Sequence, residues 1–253
     1  VDPLSNVVPI ASAAPSTPLA RRPAELALPG AANLALRNAA VFGDSDVLPA
    51  SPELRLLGQL GRNWTVPNRG GQGTRPVAAT AATRVSVLGS RLATQIEPST
   101  YVNFTSLVLA AAPAIEKHRE PVQKFATTNH FEPVEERATI VAHGGWGNFR
   151  SVQVEYCTQF RFAGKFDVAS CYPTVRHHWV EIGLEHAGVS ADLIAAIGAQ
   201  LAKVVGSNIG LPVGGVAARF LAEAVFTPID LELHRQGVPF ARGADDYRIF
   251  GRT

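Results

Sequence analysis

The sequence predicts an α+β fold, and three observations carry that prediction. The second half of the chain reads strand, helix, helix, loop, helix, hairpin, with no strand–helix–strand repeat. The hydrophobic period also changes along it: Val152, Val154 and Tyr156 alternate as on a strand, whereas Leu193, Ile194, Ile197, Leu201, Val204 and Val205 form a helical stripe. Finally, Asp245 and Asp246 sit between two strand-like runs in Phe240-Ala241-Arg242-Gly243-Ala244-Asp245-Asp246-Tyr247-Arg248-Ile249-Phe250, which predicts a hairpin with two acids at its tip. There is no internal repeat. At 253 residues the chain fits one large domain or two small ones.

Composition narrows the classes. Apolar residues make up 46% and charged residues 17%, the balance of a globular chain. With 23 basic and 21 acidic residues the net charge is only +2, so a nucleic-acid groove would have to come from local clustering. The two cysteines, Cys157 and Cys171, support neither a disulfide scaffold nor a zinc site, which predicts a reducing, cytoplasmic setting. No apolar run reaches the roughly 18 residues of a membrane span. Val1 to Ala20 lacks the basic-then-apolar order of a signal peptide. There is no methionine, and the chain stops seven residues after Asp246, so a processed or trimmed polypeptide is expected.

Residues 1–55 are rich in Ala, Pro, Ser and Leu, and the prolines block continuous helix. They predict an extended arm, with short helical pieces near Ala31–Ala40 and, just beyond it, Pro52–Leu60. Gly70-Gly71-Gln72-Gly73-Thr74-Arg75-Pro76-Val77 is a Gly-rich turn whose N–H groups and Arg75 suit a phosphate, although no Gly-Lys-Ser/Thr follows to make a Walker loop. Phe104 to about Ala126 reads as a helix interrupted by Pro113 and Pro121, and residues 127–150 read as loop, with Gly144–Gly147 as a turn. Val152–Phe162 and Lys165–Val168 read as strands. Val175, Trp179 and Ile182 then share one helical face after Pro173. Ser190 is placed to cap the next helix and Gly206 to stop it. A third helix starts near Val216, buries Phe220, Leu221, Ala224 and Val225, kinks at Pro228 and ends at Gly237.

Three carboxylates stand out: Asp167 at a strand end, and Asp245 and Asp246 at the hairpin. Clustered acids are costly unless a cation meets them. If the Asp167 strand pairs beside the hairpin, all three face one point. Mg²⁺ takes oxygen ligands from one or two carboxylates plus substrate phosphates. Two such ions roughly 3.5–4 Å apart stabilise both the attacking and the leaving oxygen of a phosphoryl displacement. Asp167 and Asp245 are the expected metal-holding pair, with Asp246 as the adjunct.

These stretches resemble a known family. Phe166-Asp167-Val168-Ala169-Ser170-Cys171-Tyr172-Pro173-Thr174-Val175 resembles the first palm motif of reverse transcriptases. Gly210-Leu211-Pro212-Val213-Gly214, followed by Arg219-Phe220-Leu221-Ala222-Glu223, resembles the second, and the Asp245-Asp246 hairpin the third. The Leu-Pro-Val-Gly form and Ile229-Asp230 are most similar to the bacterial retron, abortive-infection and defence-associated lineage. The resemblance implies a right-hand polymerase palm, an antiparallel sheet with helices on one face, over residues 151–253. Residues 56–150 would be a fingers-like region behind the 1–55 arm. It further implies RNA-directed DNA synthesis: an RNA template, a DNA primer and product, dNTPs, and two Mg²⁺ ions, with Mn²⁺ as a substitute, held by Asp167, Asp245 and Asp246. Tyr172 matches the steric gate against a 2′-hydroxyl. Gly210, Pro212 and Gly214 would let template and incoming base approach the backbone, and Arg75 matches a fingers contact to the triphosphate.

The sequence departs from the family pattern at three places. Gly243 stands where an aromatic is common, Ala218 where Ser is common, and Val213 where many relatives carry Gln. The chain also ends before a thumb, so a second protein chain supplying one would be a partner. Two alternatives follow: a non-catalytic palm used in assembly or nucleic-acid binding, and a viral RNA-dependent RNA polymerase, against which Tyr172 and Ala244 speak. His177 and Glu181 share a helical face without a third ligand, and His177 reads as a half-buried or surface residue. Trp146 reads as a loop anchor in its Gly turn.

Overall fold

The paired acids sit at one end of a three-stranded antiparallel sheet. In the computed structural model, which describes residues 78–84, 89–132, 139–141 and 145–252, β7 (Asp246–Gly251) lies between β5 (Phe162–Asp167) and β6 (Phe240–Gly243). β5 and β7 run in register from Phe162↔Gly251 to Asp167↔Asp246. β6 and β7 close a two-residue hairpin at Gly243↔Asp246. Two further hairpins, β1 (Ala78–Arg84) with β2 (Ser90–Ile96) and β3 (His130–Glu132) with β4 (Thr139–Val141), are separate two-stranded sheets. The α+β class is as predicted. The arm of residues 1–55 and the Gly-rich turn with Arg75 lie outside the described residues.

Helices clothe the sheet. α1 (Pro98–Arg119), the short α3 (Cys171–Thr174), α4 (His177–His186), α5 (Ala191–Val205) and α6 (Val216–Arg235) share one core with Phe240 and Tyr247. Leu107, Ile115, Leu184, Ile197, Leu201 and Phe220 are fully buried in it. Each such side chain contributes about 1.5–3 kcal/mol. α6 is buried nearly all round, the pattern of a central helix. α4 reaches it backbone to backbone at Gly183, where a Cβ would lie 2.3 Å from the Ala224 carbonyl oxygen.

The core therefore continues from α1 into residues 171–250. Strands β6 and β7 are covered on both faces rather than one, whereas β5 is exposed at five of its six residues. Phe240, Arg242 and Tyr247 face α6, while Ala241 and Phe250 pack against Phe149 and Val152 of α2 (Gly145–Cys157).

Several elements differ from the sequence reading. Val152–Phe162 is not a strand, because α2 runs through Cys157 and a strand begins only at Phe162. Phe149 and Val152 are buried and Val154 is 67% exposed, so the three-residue helical spacing overrides the alternation. Residues 127–150 are not all loop, since they supply β3, β4 and the start of α2. Helix α1 passes through Pro113, which lies on its exposed side.

Trp179 is 48% exposed, and α4 instead buries His177, Val180, Gly183 and Leu184. The predicted stripe was counted across a break, because Val175 is extended and α4 starts only at His177. Ser190 occupies its cap position without a side-chain cap bond. α6, by contrast, starts at Val216, runs through Pro228 to Arg235 and is followed by Gly237 with positive φ, as the sequence predicts.

Candidate functional site

Strand pairing settles where the acids sit. Asp167 ends β5 directly opposite Asp246, the first residue of β7. Directly opposed residues present their side chains to the same face, and like charges so placed destabilise a sheet. Lys165 (Nζ, 4.0 Å) and Arg248 (Nη1, 3.3 Å) lie beside the Asp246 carboxylate and offset part of the repulsion. Asp245 is one residue away at the hairpin tip, and its carbonyl accepts a bond from the Val168 N–H at 3.3 Å. The register thus sets Asp246 across from Asp167, with Asp245 over the neighbouring pocket.

The tip is held from below. Ala244 has a left-handed backbone (φ 56°), which costs a non-glycine residue roughly 1–2 kcal/mol. Two bonds hold it there: its N–H donates to Thr128 Oγ1 at 2.7 Å, and its carbonyl accepts from Arg242 Nη1 at 2.9 Å. Arg242 is fully buried and donates to both Asp230 oxygens and to Glu223 Oε2 at 2.8 Å. Tyr247 Oη donates to Asp230 at 2.9 Å, and Asn129 Nδ2 to Glu223 at 2.9 Å. Arg119, also fully buried, lies 3.2 Å from Glu223 and bonds the carbonyls of Ala126, Thr128 and Asn129.

Burial opposes the charge on Arg242, yet Asp230 and Glu223 hold its guanidinium more firmly protonated than usual. Burial alone would raise the Glu223 carboxyl; Arg242 and Arg119 overcome this and hold it below the usual carboxylate range. At Asp230 burial prevails and raises the carboxyl, with Arg242 offsetting it only in part.

A small pocket opens beside the tip, lined by Asp245, Ala244, Tyr172, Cys171, Asn129 and Phe226 among others. Its free space is about 10 Å³, room for a single water, so in this conformation it is a dimple beside Asp245 and not an enclosing ligand site. Burial pushes the Tyr172 phenol up, so the ring stays neutral. Burial, then Asp245, pushes the Cys171 thiol up to about 12, which leaves it protonated and unfit as a nucleophile.

The Gly210–Gly214 loop is fastened to this pocket. The N–H of Leu211 donates to the Tyr172 carbonyl and that of Gly210 to the Val175 carbonyl, both at 2.7 Å. Thr94 of β2 donates to the Val213 carbonyl at 2.8 Å from the other side. Gly210 (φ 104°) and Gly214 (φ 115°) hold conformations that other residues rarely adopt, and Pro212 is buried.

Asp167 and Tyr172, Gly210, Pro212 and Gly214, and Asp245 and Asp246 thus belong to three adjoining segments of one region. Among the described residues, no group of three or more His, Cys, Asp and Glu side chains forms a ready cage for a metal ion. The opposed Asp167 and Asp246 carboxylates still suit a hard cation that draws its remaining ligands from water and phosphate.

Sequence reasoning missed the supporting layer. Glu223 and Asp230 lie seven residues apart, on one face of a helix, and Arg242 alternates inward between Ala241 and Gly243; an inward charge in an apolar helix was the available signal. Gly243 is also explained. A Cβ there would lie 3.1 Å from the Phe149 ring and 3.2 Å from Trp146, so α2 fills the space a side chain at 243 would need.

Compared with known proteins, the chain matches no family model and no characterised relative. No helix among the described residues is long and apolar enough to cross a membrane.

Proposed function

We propose that the chain is a reverse-transcriptase-like nucleotidyltransferase of the bacterial antiphage-defence kind, with a palm built on β5, β6 and β7. It would extend a DNA 3′-hydroxyl with dNTPs on an RNA template. The observation that carries this reading is the register pairing of Asp167 with Asp246, with Asp245 beside them over the pocket lined by Tyr172. A sheet that opposes two acids gives up stability, and a cation-dependent reaction on phosphates is a reason to keep them.

Asp167, Asp245 and Asp246 would hold Mg²⁺, which lowers the charge barrier to phosphoryl transfer when bound. The rest of the chemistry is positioning. The Tyr172 ring walls the pocket next to Asp245 and leaves little room for a 2′-hydroxyl. Gly214, half-buried in its loop, would offer template and base a backbone without a side chain, while the buried Gly210 packs behind it against Tyr172 and Pro173. Arg242 and Thr128 fix the Ala244 carbonyl and N–H, and so hold Asp245 in place.

The test is Asp245→Asn. It is expected to abolish dNTP incorporation on a primed RNA template while leaving the urea unfolding midpoint unchanged. Incorporation equal to wild type would exclude the reading.

A second reading, a non-catalytic palm acting as an assembly or nucleic-acid-binding subunit, draws on the small pocket and on the lack of a ready metal cage among the described residues. Calorimetry with Mn²⁺ separates the two: binding that Asp167→Asn removes supports the polymerase, and no heat above background supports the subunit.

A further inference from the structure

We propose that His177 is a positioning residue that locks the Gly210 loop to the Tyr172 turn, so that the walls meeting a nucleotide's sugar and its base keep one fixed spacing. The role of those walls rests on the polymerase reading; the lock itself rests on geometry.

His177 is 5% exposed at the first position of α4, and its Nε2 lies 2.9 Å from the Gly210 carbonyl oxygen. A carbonyl only accepts, so Nε2 carries the proton and donates. Its own backbone N–H donates to the Asn208 carbonyl at 3.0 Å. The same two segments exchange the Gly210–Val175 and Leu211–Tyr172 bonds, and Arg176 bridges Ile209. The four bonds alternate between the turn and the loop like a short ladder.

The loop needs such fastening. Gly206, Gly210, Gly214 and Gly215 all have positive φ, and glycine brings the greatest backbone freedom of any residue. Three of the four bonds are backbone to backbone and would form with any residue at 177. The fourth depends on the imidazole, and without it the buried Gly210 carbonyl loses that donor. A histidine that only fills space would be replaceable by any ring of its size; a lock requires the donor.

Two substitutions separate these cases. His177→Phe keeps a ring and removes the donor, while His177→Gln keeps an N–H donor the same number of bonds from Cβ. In the full chain, His177→Phe is expected to speed amide hydrogen exchange at Gly210 and Leu211 by about tenfold, the scale of one lost buried hydrogen bond, with His177→Gln close to wild type. In primer extension, His177→Phe is expected to raise the dNTP KM and to lower the preference for dNTP over rNTP, each by about tenfold, with kcat little changed. His177→Gln is expected to restore both.

Unchanged exchange at Gly210 and Leu211 in His177→Phe overturns the lock. Faster exchange with unchanged nucleotide preference overturns its role in substrate positioning. If the wild-type chain incorporates no nucleotide, the polymerase reading falls by itself, and the exchange measurement still decides the lock.

Discussion

Two clusters of charge lie within one hairpin of each other and obey opposite rules. Below the tip, Arg242, Glu223, Asp230 and Arg119 are all 0–1% exposed, and their acids meet guanidinium, phenol or amide donors. At the sheet end, Asp167 is exposed and faces another acid across the strands. The first cluster is a structural device, in which burial makes every missing partner expensive. The second is a liability in the folded chain, acceptable because solvent screens it and useful if a cation fills it. The same residue types are therefore paired or left opposed according to what faces them.

The largest expected effect comes from breaking the buried cluster. Arg242→Leu leaves Asp230 and Glu223 without their main partner and should cost about 3–5 kcal/mol, read from the urea midpoint. It also removes the donor to the Ala244 carbonyl, so residual folded protein should bind Mn²⁺ poorly. A loss below about 1 kcal/mol would mean that the cluster tolerates a lone carboxylate and that the contrast is overstated.

Acid sharpens the comparison next. The folded Glu223 carboxyl lies below its ordinary 4.5, so the unfolded chain takes up the proton first as pH falls. The stability it contributes is present above about pH 4.5 and is lost as pH drops through the folded value, with a slope of at most about 1.4 kcal/mol per pH unit. Asp230, raised above 3.8 by burial, has the opposite sign: its contribution is greatest below that value and is lost as pH rises through the folded one. Urea midpoints measured downward from about pH 6 should therefore flatten in Glu223→Gln.

The smallest effect is expected at the exposed pair. Asp167→Asn relieves a like-charge opposition and should raise stability by about 0.2–1 kcal/mol, although it removes a candidate metal ligand. A loss of stability would show that Asp167 has a structural partner that matters more than its repulsion with Asp246.

Much of this was legible in the sequence, for identifiable reasons. The stripe of α5 and the Gly206 stop depend on local period and on one left-handed position, so they read directly. The hairpin at Asp245 and Asp246 was readable because turn chemistry is local. α2 was misread as a strand because Val152 and Tyr156 fit both periods, and only packing of Phe149 and Val152 against Phe250 chooses between them. His177 read as a half-buried or surface residue but is buried, because its partner, the Gly210 carbonyl, lies 33 positions away.

By itself the sequence determined the α+β class, the main helices of the second half, and three acids and an aromatic at positions that resemble a polymerase palm. Those follow from period, turn residues and motif order, which are local properties. Only the tertiary structure decided that Asp246 rather than Asp245 faces Asp167, that Trp146 and Phe149 occupy the space above Gly243, and that buried Arg242 holds the tip. Register, side-chain volume and desolvation are relations between distant segments, and they exist only once the strands have paired and water has been removed.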